Sequence, residues 1–266
     1  MVPVSIVIIT KNEAEVIASC INAAKLISDD IIVIDNDSID ETREIAYKNG
    51  CNVYRENWDG YGANKNKGIA VAKYNWILSI DADEVPDEEL VRALHNVKFN
   101  NPEIVYDIRF KSYYGQKLIR FGAWGRDHHV RLFNRKLVKW SETPVHETLI
   151  LPATIVTKRL NGYLQHYSVK DNNDFLNKTI HYAKLSASKY LASGKKATPV
   201  KLYVAPLFHF IKNYIVFLGF MDGREGLNIA KMISKHTRIK YRLLKAQAKR
   251  GYQQTPAMED NFVVEY

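Results

Sequence analysis

The sequence is poor in cysteine and lacks the glycine-rich loops that most often hold phosphates. Its two cysteines, Cys20 and Cys51, each lie within or beside an apolar segment, which excludes a disulfide framework and fits a reducing compartment. No Gly-x-Gly-x-x-Gly and no Walker-type lysine loop follows the first predicted strand, so neither a dehydrogenase nor a P-loop NTPase is indicated. The amino terminus enters a strand without a basic leader, so we expect no signal peptide.

Positive charge is concentrated near the carboxyl terminus. The 266 residues carry a formal net charge of +9. Residues 195–252 hold thirteen Lys and Arg against Asp222 and Glu225, a net charge of +11, which leaves −2 for the rest of the chain. We therefore expect any acidic partner, a lipid headgroup or a nucleic acid, to contact this C-terminal region.

Apolar runs and helical patterns alternate through the first 84 residues. The predicted strands are 4–9, 31–34, 52–55 and 76–80, and the predicted helices are 14–26, 38–48 and 63–73. Ser38 and Glu41 have the spacing of a capping box, and Gly50 follows the second helix as its stop. This alternation predicts an α/β fold with a parallel, doubly wound sheet and right-handed crossovers.

Acidic residues come directly after three of these strands. Asp81, Asp83 and Glu84 follow the apolar run Trp-Ile-Leu-Ser-Ile, while Glu13 and Asp35 follow the first and second strands. A buried strand cannot keep unpaired carboxylates, so these acids are expected at the strand mouths, where parallel sheets form their ligand crevice. Oxygen ligands there suit Mg²⁺ or Mn²⁺ bridging a diphosphate. The alternatives are a solvated turn and favourable charge at helix amino termini.

Four sequence blocks between residues 4 and 84 resemble a known enzyme family. They read Val-Ser-Ile-Val-Ile-Ile-Thr-Lys-Asn-Glu, Ile-Val-Ile-Asp-Asn-Asp-Ser-Ile-Asp-Glu-Thr, Asn-Lys-Asn-Lys-Gly and Trp-Ile-Leu-Ser-Ile-Asp-Ala-Asp-Glu. In order and spacing they resemble family 2 glycosyltransferases, above all the branch that includes lipopolysaccharide core glucosyltransferases. The resemblance implies a GT-A fold, with a mostly parallel sheet and a mixed sheet on the acceptor side.

The resemblance also implies roles for individual residues. Those expected to bind the donor nucleotide are Thr10, Asn12, Glu13 and Asp35 at the base, Lys65 and Asn66 along the nucleotide, and Asp81 on the ribose side. Asp83 would bind the metal, Mn²⁺ or Mg²⁺. Many GT-A enzymes recruit a late histidine as a further metal ligand, which makes His166 a candidate, with a packing role as the alternative.

The pattern changes in the second hundred residues. Short, aromatic-rich strands are predicted at 105–110, 129–133 and 163–167, as the acceptor half of the same domain. Between them, Trp124 offers a surface for stacking a sugar, although an aromatic flanked by glycines is as often ordinary packing. Arg126, Arg131 and Arg135 either meet phosphates on a charged acceptor or stay solvated.

Inverting transfer also needs a general base near the acceptor hydroxyl. The stretch Thr-Pro-Val-His-Glu ends in Glu147, and the resembled branch carries a similar Val-His-Glu. We predict Glu147 as the base, with Asp127 second and His146 third; His146 is also assigned to the acceptor site. A surface strand position is the alternative for Glu147.

A C-terminal helical region is predicted to follow the catalytic domain. The catalytic domain is placed at 1–194, divided into a nucleotide-sugar half (1–100) and an acceptor half (101–194), and its last helix spans 171–193. In region 195–266, the apolar run 202–221 is interrupted by Lys212 near its middle, which argues against a membrane-spanning helix. We predict interfacial insertion followed by a basic helix at 231–250, with a hairpin covering the core as the alternative. Residues 251–266 are predicted to be a loose tail.

These observations favour one enzymatic function over two rivals. We predict inverting, metal-dependent transfer of a sugar from a nucleotide-diphosphate donor, with UDP-sugar favoured, to a membrane-anchored glycolipid or lipopolysaccharide-type acceptor. The enzyme is expected in the cytoplasm, peripheral on the inner face of the cytoplasmic membrane. A sugar nucleotidyltransferase would need a glycine-rich basic loop after the first strand, where Thr-Lys-Asn-Glu stands instead. A non-catalytic basic adaptor for membrane or nucleic acid is the other rival; nucleic acid is disfavoured because the aromatics precede the basic helix rather than interleave with it.

Overall fold

A mixed sheet of nine strands organises the part of the chain that this computed structural model describes, residues 1–142 and 147–249. Its strands are β1 (Val4–Thr10), β2 (Asp30–Asp35), β3 (Asn52–Arg55), β4 (Trp76–Asp81), β5 (Glu84–Pro86), β6 (Ile104–Tyr114), β7 (Lys117–Leu118), β8 (His128–Asn134) and β11 (Val156–Val169). A separate antiparallel pair consists of β9 (Lys139–Trp140) and β10 (Leu149–Ile150). The sheet order is β3-β2-β1-β4-β8-β6-β11-β5, with β7 beside β6.

Helices cover the sheet and form the C-terminal region. They are α1 (Ile17–Lys25), α2 (Thr42–Lys48), α3 (Tyr61–Ala70), α4 (Glu88–His95), α5 (Asn172–Ala192), α6 (Ala205–Ile211) and α7 (Gly223–Lys249). Apolar clusters pack on both faces of β1, so every residue of that strand is buried. A continuous β-branched run such as β1 is what a strand buried on both faces requires.

The four strands of the amino-terminal half are parallel, as the sequence predicts. β1 pairs with both β2 and β4, and β2 pairs with β3. The predicted capping box is wrong, because α2 begins at Thr42 and the Ser38 hydroxyl accepts a hydrogen bond from the Asn12 backbone N–H instead. Gly50 does follow this helix with a positive φ of 76°, a conformation in which glycine is favoured.

The acceptor half adds the mixed part of the sheet. β8 runs antiparallel to both β4 and β6, and β11 runs parallel to β6. All three predicted strands exist but are longer than predicted, since β11 alone spans fourteen residues. The short β5 pairs antiparallel with β11 and thereby returns the chain after β4 to the far edge of the sheet.

The C-terminal region is a bent helical structure packed on α5. α5 is capped by Asp171, the first residue of the helix predicted at 171–193, whose carboxylate accepts from the backbone N–H groups of Asn173 and Asp174. Residues 200–222, here called the bent segment, comprise the wide turns Val200–Val204 and Lys212–Val216 around α6, then the short turn Gly219–Asp222. The basic helix α7 begins at Gly223, earlier than predicted, and residues 250–266, including the predicted tail, lie outside the described residues.

Residues 195–249 share their core with the catalytic half. Ile229 of α7 packs with Tyr114, Ile119 and Val169, and a second apolar cluster joins α5 to α7 and the bent segment. Within the described ranges, no single helix is long and apolar enough to cross a bilayer; Val200–Val216 and Gly219–Lys249, bent by 70° at their junction, meet that length and composition criterion only as a pair.

Candidate active site

The ends of β1, β2 and β4 meet at one edge of the sheet. Strand register pairs Thr10 with Asp35, and Ile9 with Asp81. The loops that follow β1 and β2 are joined by hydrogen bonds, since the backbone N–H of Asn12 donates to Ser38 Oγ at 2.9 Å and that of Glu13 donates to Thr42 Oγ1 at 2.8 Å. Asn12 also accepts from the Ile39 N–H at 2.9 Å.

Two buried oxygen atoms at this edge, on Thr10 and Asp35, are of interest because neither has a hydrogen-bond partner among the described residues. Asp35 is fully buried, and its Oδ1 accepts from the Ser38 N–H at 3.1 Å, with Arg43 Nε 3.6 Å away. Its Oδ2 and the hydroxyl of Thr10 find no hydrogen-bond partner among the described residues. Because buried polar atoms are nearly always paired, these two can receive a ligand's polar groups.

Helix α3 delivers a buried lysine between two carboxylates. Lys65 is 1% exposed, donates to Glu147 Oε1 at 3.0 Å and lies 3.2 Å from Asp81 Oδ1. Its ammonium also sits 4.6 Å from the centroid of the Trp140 ring. Burial raises the pKa of Asp81, but the charges of Lys65 and Arg131 outweigh burial and lower it to about 2. Asp81 is therefore ionised at neutral pH.

The chain around Glu147 is held against the start of α3. The Asn66 side-chain amide donates to the Trp140 carbonyl at 3.0 Å and accepts from the Trp140 backbone N–H at 3.1 Å, which fixes β9. The resemblance had placed Asn66 along the nucleotide. A Cβ on Gly62 would lie 1.9 Å from the Ser141 carbonyl oxygen and 3.2 Å from Glu147 Cβ. Glycine at 62 is what permits this close approach.

Asp83 and His166 come together from distant parts of the chain. Antiparallel pairing of β5 with β11 places His166 opposite Glu84, and His166 Nε2 lies 3.4 Å from Asp83 Oδ2. Burial lowers the pKa of His166, but Asp83 outweighs burial and raises it to about 9. Burial and then Asp83 raise the pKa of Glu13 to about 7. The pocket thus favours additional positive charge.

This donor set fits a divalent cation. A carboxylate and an imidazole suit Mn²⁺, and Mg²⁺ is commonly held by one or two carboxylates plus substrate phosphates and water. The described residues contain no group of three or more His, Cys, Asp and Glu side chains arranged to hold a metal. Asp83 and His166 would supply the protein ligands, with the remaining positions left to the diphosphate and water.

A buried ion pair at this site was missed by the sequence analysis. Arg131 on β8 is 6% exposed, contacts Glu84 Oε1 and lies 3.5 Å from Asp81 Oδ2. The sequence analysis expected Arg131 either to meet an acceptor phosphate or to be solvated. The buried ion pair excludes both. Arg135 instead donates to the carbonyls of Ile69 and Ala72 at the end of α3. An arginine inside the run Val-Arg-Leu-Phe was the available signal, since a buried arginine needs an acid partner.

The two carboxylates considered as base differ in their surroundings. The Glu147 side chain is 16% exposed, and of its two carboxylate oxygens Oε1 accepts from Lys65. Burial raises the pKa of Asp127, but a hydrogen bond from His129, whose Nε2 is 3.0 Å from Asp127 Oδ1, outweighs it and holds the pKa below its usual range. A lowered pKa makes Asp127 a weaker base than an ordinary aspartate. His146, the third candidate, lies outside the described residues.

Aromatic contacts surround the loop that carries Trp124 and Arg126. The Trp124 ring packs beside Phe175 and Tyr114, with centroids 5.4 Å and 6.4 Å apart. The Arg126 guanidinium lies 4.6 Å from the centroid of the Phe217 ring. Trp124 is therefore packed against α5 and β6, the packing alternative that the sequence analysis left open, and Arg126 lies against the bent segment.

The bent segment fixes the backbone of this loop, residues 119–127. The Asp222 carboxylate accepts from the Arg120 N–H at 3.2 Å and the Phe121 N–H at 2.8 Å. Asn213 Oδ1 accepts from the Ala123 N–H at 3.1 Å, and the Phe217 carbonyl accepts from the Gly122 N–H at 2.9 Å. Asp222 and Asn213 are each 5% exposed. We call these contacts the loop clamp.

A pair of tyrosines borders the acidic cluster. The hydroxyls of Tyr61 on α3 and Tyr182 on α5 are 2.9 Å apart, and Trp58 packs edge-on against Tyr61 at 4.6 Å. Burial raises the pKa of Tyr182, and the carboxylates of Asp81, Asp83 and Glu147 act in the same direction. α5 is thereby connected to the nucleotide half beside the candidate base.

Comparison with known proteins gives glycosyltransferases among the relatives. An uncharacterized glycosyltransferase of Rickettsia typhi is 31% identical over 241 residues, covering 85% of this chain and 81% of the relative. The lipopolysaccharide core biosynthesis glycosyltransferase LpsC of Rhizobium meliloti is 25% identical over 257 residues, covering 88% of this chain and 93% of LpsC.

Solved structures overlap more loosely. Staphylococcus aureus TarS (residues 1–349) covers 96% of this chain and 93% of that one, at 14% identity and a TM-score of 0.45. A second structure is glucosyl-3-phosphoglycerate synthase from Mycobacterium tuberculosis in complex with Mn²⁺, UDP and glucosyl-3-phosphoglycerate. The match covers 42% of this chain and 44% of the synthase, at 25% identity and a TM-score of 0.34.

The family comparison coincides with the site. The family described as glycosyl transferase family 2 matches residues 5–149, more than half of the chain. That span contains the β1, β2 and β4 mouths, Lys65 and Glu147, whereas His166 lies beyond it. The matched span, the mixed α/β sheet and the glycosyltransferase relatives agree: this chain has the GT-A fold and belongs to glycosyltransferase family 2.

Proposed function

We propose that this enzyme transfers a sugar, with inversion, from a UDP-sugar to a membrane-anchored glycolipid or lipopolysaccharide-type acceptor. One observation carries the proposal. The ends of β2 and β4 place Asp35, Asp81 and Asp83 at one edge of the sheet, and the buried Lys65 joins Asp81 to Glu147 there. Nucleotide, metal and base functions can therefore act on one donor.

The chemistry of the two unpaired atoms supports uracil as the base. Thr10 and Asp35 each present a buried oxygen without a partner among the described residues. Uracil offers one N–H donor beside carbonyl acceptors, so an Asp35 oxygen can accept from the N–H while the Thr10 hydroxyl donates to a carbonyl. Asn12 and Glu13 shape the same edge through the joined loops.

Asp83 and His166 would hold Mn²⁺ or Mg²⁺ beside the diphosphate. When bound, such a cation stabilises the negative charge that develops on the leaving diphosphate. Lys65, which the resemblance places along the nucleotide, has its ammonium between Asp81 and Glu147, where it stabilises the charge of Asp81 and holds Glu147 in place. Arg131 contacts Glu84, whose pKa burial raises to about 7, and the Arg131 charge opposes that rise.

Glu147 acts as the general base in this proposal. Lys65 holds Oε1, so Oε2 can accept the proton of the acceptor hydroxyl. As that proton leaves, the acceptor oxygen attacks the anomeric carbon and the bond to the diphosphate oxygen breaks. This single displacement inverts the anomeric centre and needs no covalent enzyme intermediate.

The acceptor and the location remain part of the proposal. The relative from Rhizobium meliloti is named for lipopolysaccharide core biosynthesis, which supports a lipid-linked acceptor. The bent segment exposes large apolar side chains, and residues 195–252 carry a net charge of +11. Both features support a peripheral position on the inner face of the cytoplasmic membrane.

A donor panel tests the proposal. We expect the purified full-length enzyme to hydrolyse one UDP-sugar slowly without acceptor, and we expect EDTA to abolish this activity and Mn²⁺ or Mg²⁺ to restore it. GDP-sugars are expected to be poorer substrates. Hydrolysis undiminished by EDTA, or no turnover of any nucleotide sugar, would contradict the proposal. Release of pyrophosphate from a nucleoside triphosphate and a sugar phosphate would instead identify a nucleotidyltransferase.

A further inference from the structure

A basic cleft lies between the start of the bent segment and the last turns of α7. Its volume is about 310 Å³, and its lining residues are Leu202, Tyr203, Arg242, Lys245, Ala246 and Lys249. None of them belongs to the donor site or to the loop clamp. The cleft therefore has no part in the chemistry proposed above.

The three cations of the cleft share one face of α7 and lack acidic partners. Arg242, Lys245 and Lys249 follow each other at spacings of three and four residues, which places them on one side of a helix. No carboxylate of the described residues pairs with any of them. Lysines of the nucleotide half differ, since Lys67 and Lys73 each reach an aspartate within 2.8 Å. Among the described residues, the cleft is therefore a site of positive charge without acidic partners.

An apolar surface continues from the cleft along the bent segment. Tyr203 is 70% exposed and Leu207 and Phe208 are each 58% exposed, and the surface extends to further exposed side chains at Val200, Val204, Ile211, Ile215 and Val216. Leu202, Pro206 and Asn213 are the buried positions of the same stretch. A helix at a water-exposed surface normally turns its polar face outward, and this one turns its apolar face outward. A contiguous exposed apolar patch marks an interaction site.

Unpaired cations directly beside an exposed aromatic and aliphatic surface match one partner best. A bilayer of anionic phospholipid offers phosphate to the cations and acyl chains to the apolar side chains, whereas nucleic acid would leave the aliphatic surface in water. We infer that Arg242, Lys245 and Lys249 bind the phosphate of an anionic phospholipid while the exposed face of residues 200–216 inserts into the bilayer surface. This inference deepens the membrane part of the proposed function and rests on it.

The inference also connects the membrane to the acceptor side of the enzyme. The bent segment carries both the inserted face and the loop clamp, through Asn213, Phe217 and Asp222. A segment docked in lipid therefore brings loop 119–127 to the bilayer surface. A lipid-linked acceptor would meet the enzyme at that place.

Vesicle flotation of the full-length protein tests the cleft with a matched control. The cleft variant is Arg242→Gln/Lys245→Gln/Lys249→Gln. The control variant is Lys231→Gln/Lys235→Gln/Arg238→Gln, which removes the same charge from exposed positions of the same helix outside the cleft. Vesicles of phosphatidylcholine alone are compared with vesicles that also contain phosphatidylglycerol. Donor hydrolysis by each variant, with its thermal unfolding, reports whether the catalytic fold is intact.

We expect the cleft variant to lose affinity for phosphatidylglycerol vesicles by roughly a hundredfold, since each nearby Lys or Arg contributes about fivefold. The control variant should lose only a few-fold, and both should retain wild-type donor hydrolysis. Equal losses of vesicle affinity in the two variants would mean that the whole charge of α7 attracts the membrane. That result would overturn the assignment of a phosphate site to the cleft but would leave membrane binding in place. Wild-type protein that floats with neither vesicle, or that binds random-sequence DNA through the cleft instead, would overturn both the cleft and the proposed membrane location, whereas metal-dependent hydrolysis would still stand.

Discussion

Two groups of buried polar side chains hold this enzyme together around its site, and they work differently. At the strand mouths, Lys65 and Arg131 pair charge against charge with Asp81, Glu84 and Glu147. In the loop clamp, side chains of the bent segment accept from backbone N–H groups instead. The first group fixes chemical groups, whereas the second fixes the course of a loop. The C-terminal region is thus bound to loop 119–127, in the half that the sequence analysis assigned to the acceptor, although its composition marks it as separate.

Removal of Lys65 should have the largest effect on stability. Lys65→Met removes the cation that holds Glu147 and leaves Asp81 with Arg131 alone, at 3.5 Å; breaking a buried pair in this way costs about 3–5 kcal/mol. Urea unfolding measures the loss, and donor hydrolysis should disappear with it. Lys67→Met is the control on the same helix, because its ion pairs with Glu56 and Asp59 are exposed and should cost less than about 1 kcal/mol. Equal losses of unfolding free energy in Lys65→Met and Lys67→Met would contradict the claim that the buried ion pairs stabilise the protein more than the surface pairs.

Loss of the base should come next, as a loss of rate rather than stability. Glu147→Gln keeps size and hydrogen bonding to Lys65 but removes basicity, so kcat should fall by about 10² to 10⁴ with donor binding unchanged. Asp127→Asn is the matched comparison and should cost little, since His129 already holds the pKa of Asp127 low. Transfer to the acceptor, measured in steady state, separates them. A kcat near that of wild type for Glu147→Gln would pass the role to Asp127.

The strand mouths could be predicted from sequence because local patterns determine them. An apolar β-branched run that ends in acids, as at Asp35 and Asp81, specifies both a buried strand and the end at which polar groups collect. The order of the parallel strands then follows from short right-handed connections. His166 does approach Asp83, at 3.4 Å, and its role as a metal ligand stays a prediction.

The loop clamp and the buried ion pairs could not be predicted in the same way. Asp222 and Asn213 reach partners about ninety to a hundred residues earlier, and no periodicity encodes such distant contacts. Their placement within an apolar run did signal a buried role, because a buried polar side chain needs a partner. For Ser38, a local pattern gave a wrong prediction. Its capping-box spacing is present, but its hydroxyl accepts a hydrogen bond from the distant Asn12 N–H.

Weakening the loop clamp should have a smaller effect, confined to the acceptor side. Asp222→Ala leaves the N–H groups of Arg120 and Phe121 without their acceptor, at a cost of about 1–3 kcal/mol. Asp222→Asn retains one carbonyl oxygen and should recover part of that loss. The expected signature is a higher KM for the acceptor with unchanged donor hydrolysis. Glu225→Gln, which touches only Lys117 at the surface, is the control, and a clamp variant that loses donor hydrolysis as well would contradict this division of roles.

The central claim is that the strand mouths form a metal-dependent nucleotide-sugar site, and calorimetric titration of UDP with and without Mn²⁺ tests it most directly. The account predicts that Mn²⁺ strengthens UDP binding to the wild-type protein, that Asp83→Ala abolishes this gain while the protein stays folded, and that His166→Ala reduces it less severely. Wild-type binding that EDTA leaves unchanged, or a gain from Mn²⁺ that survives in Asp83→Ala, would contradict the account.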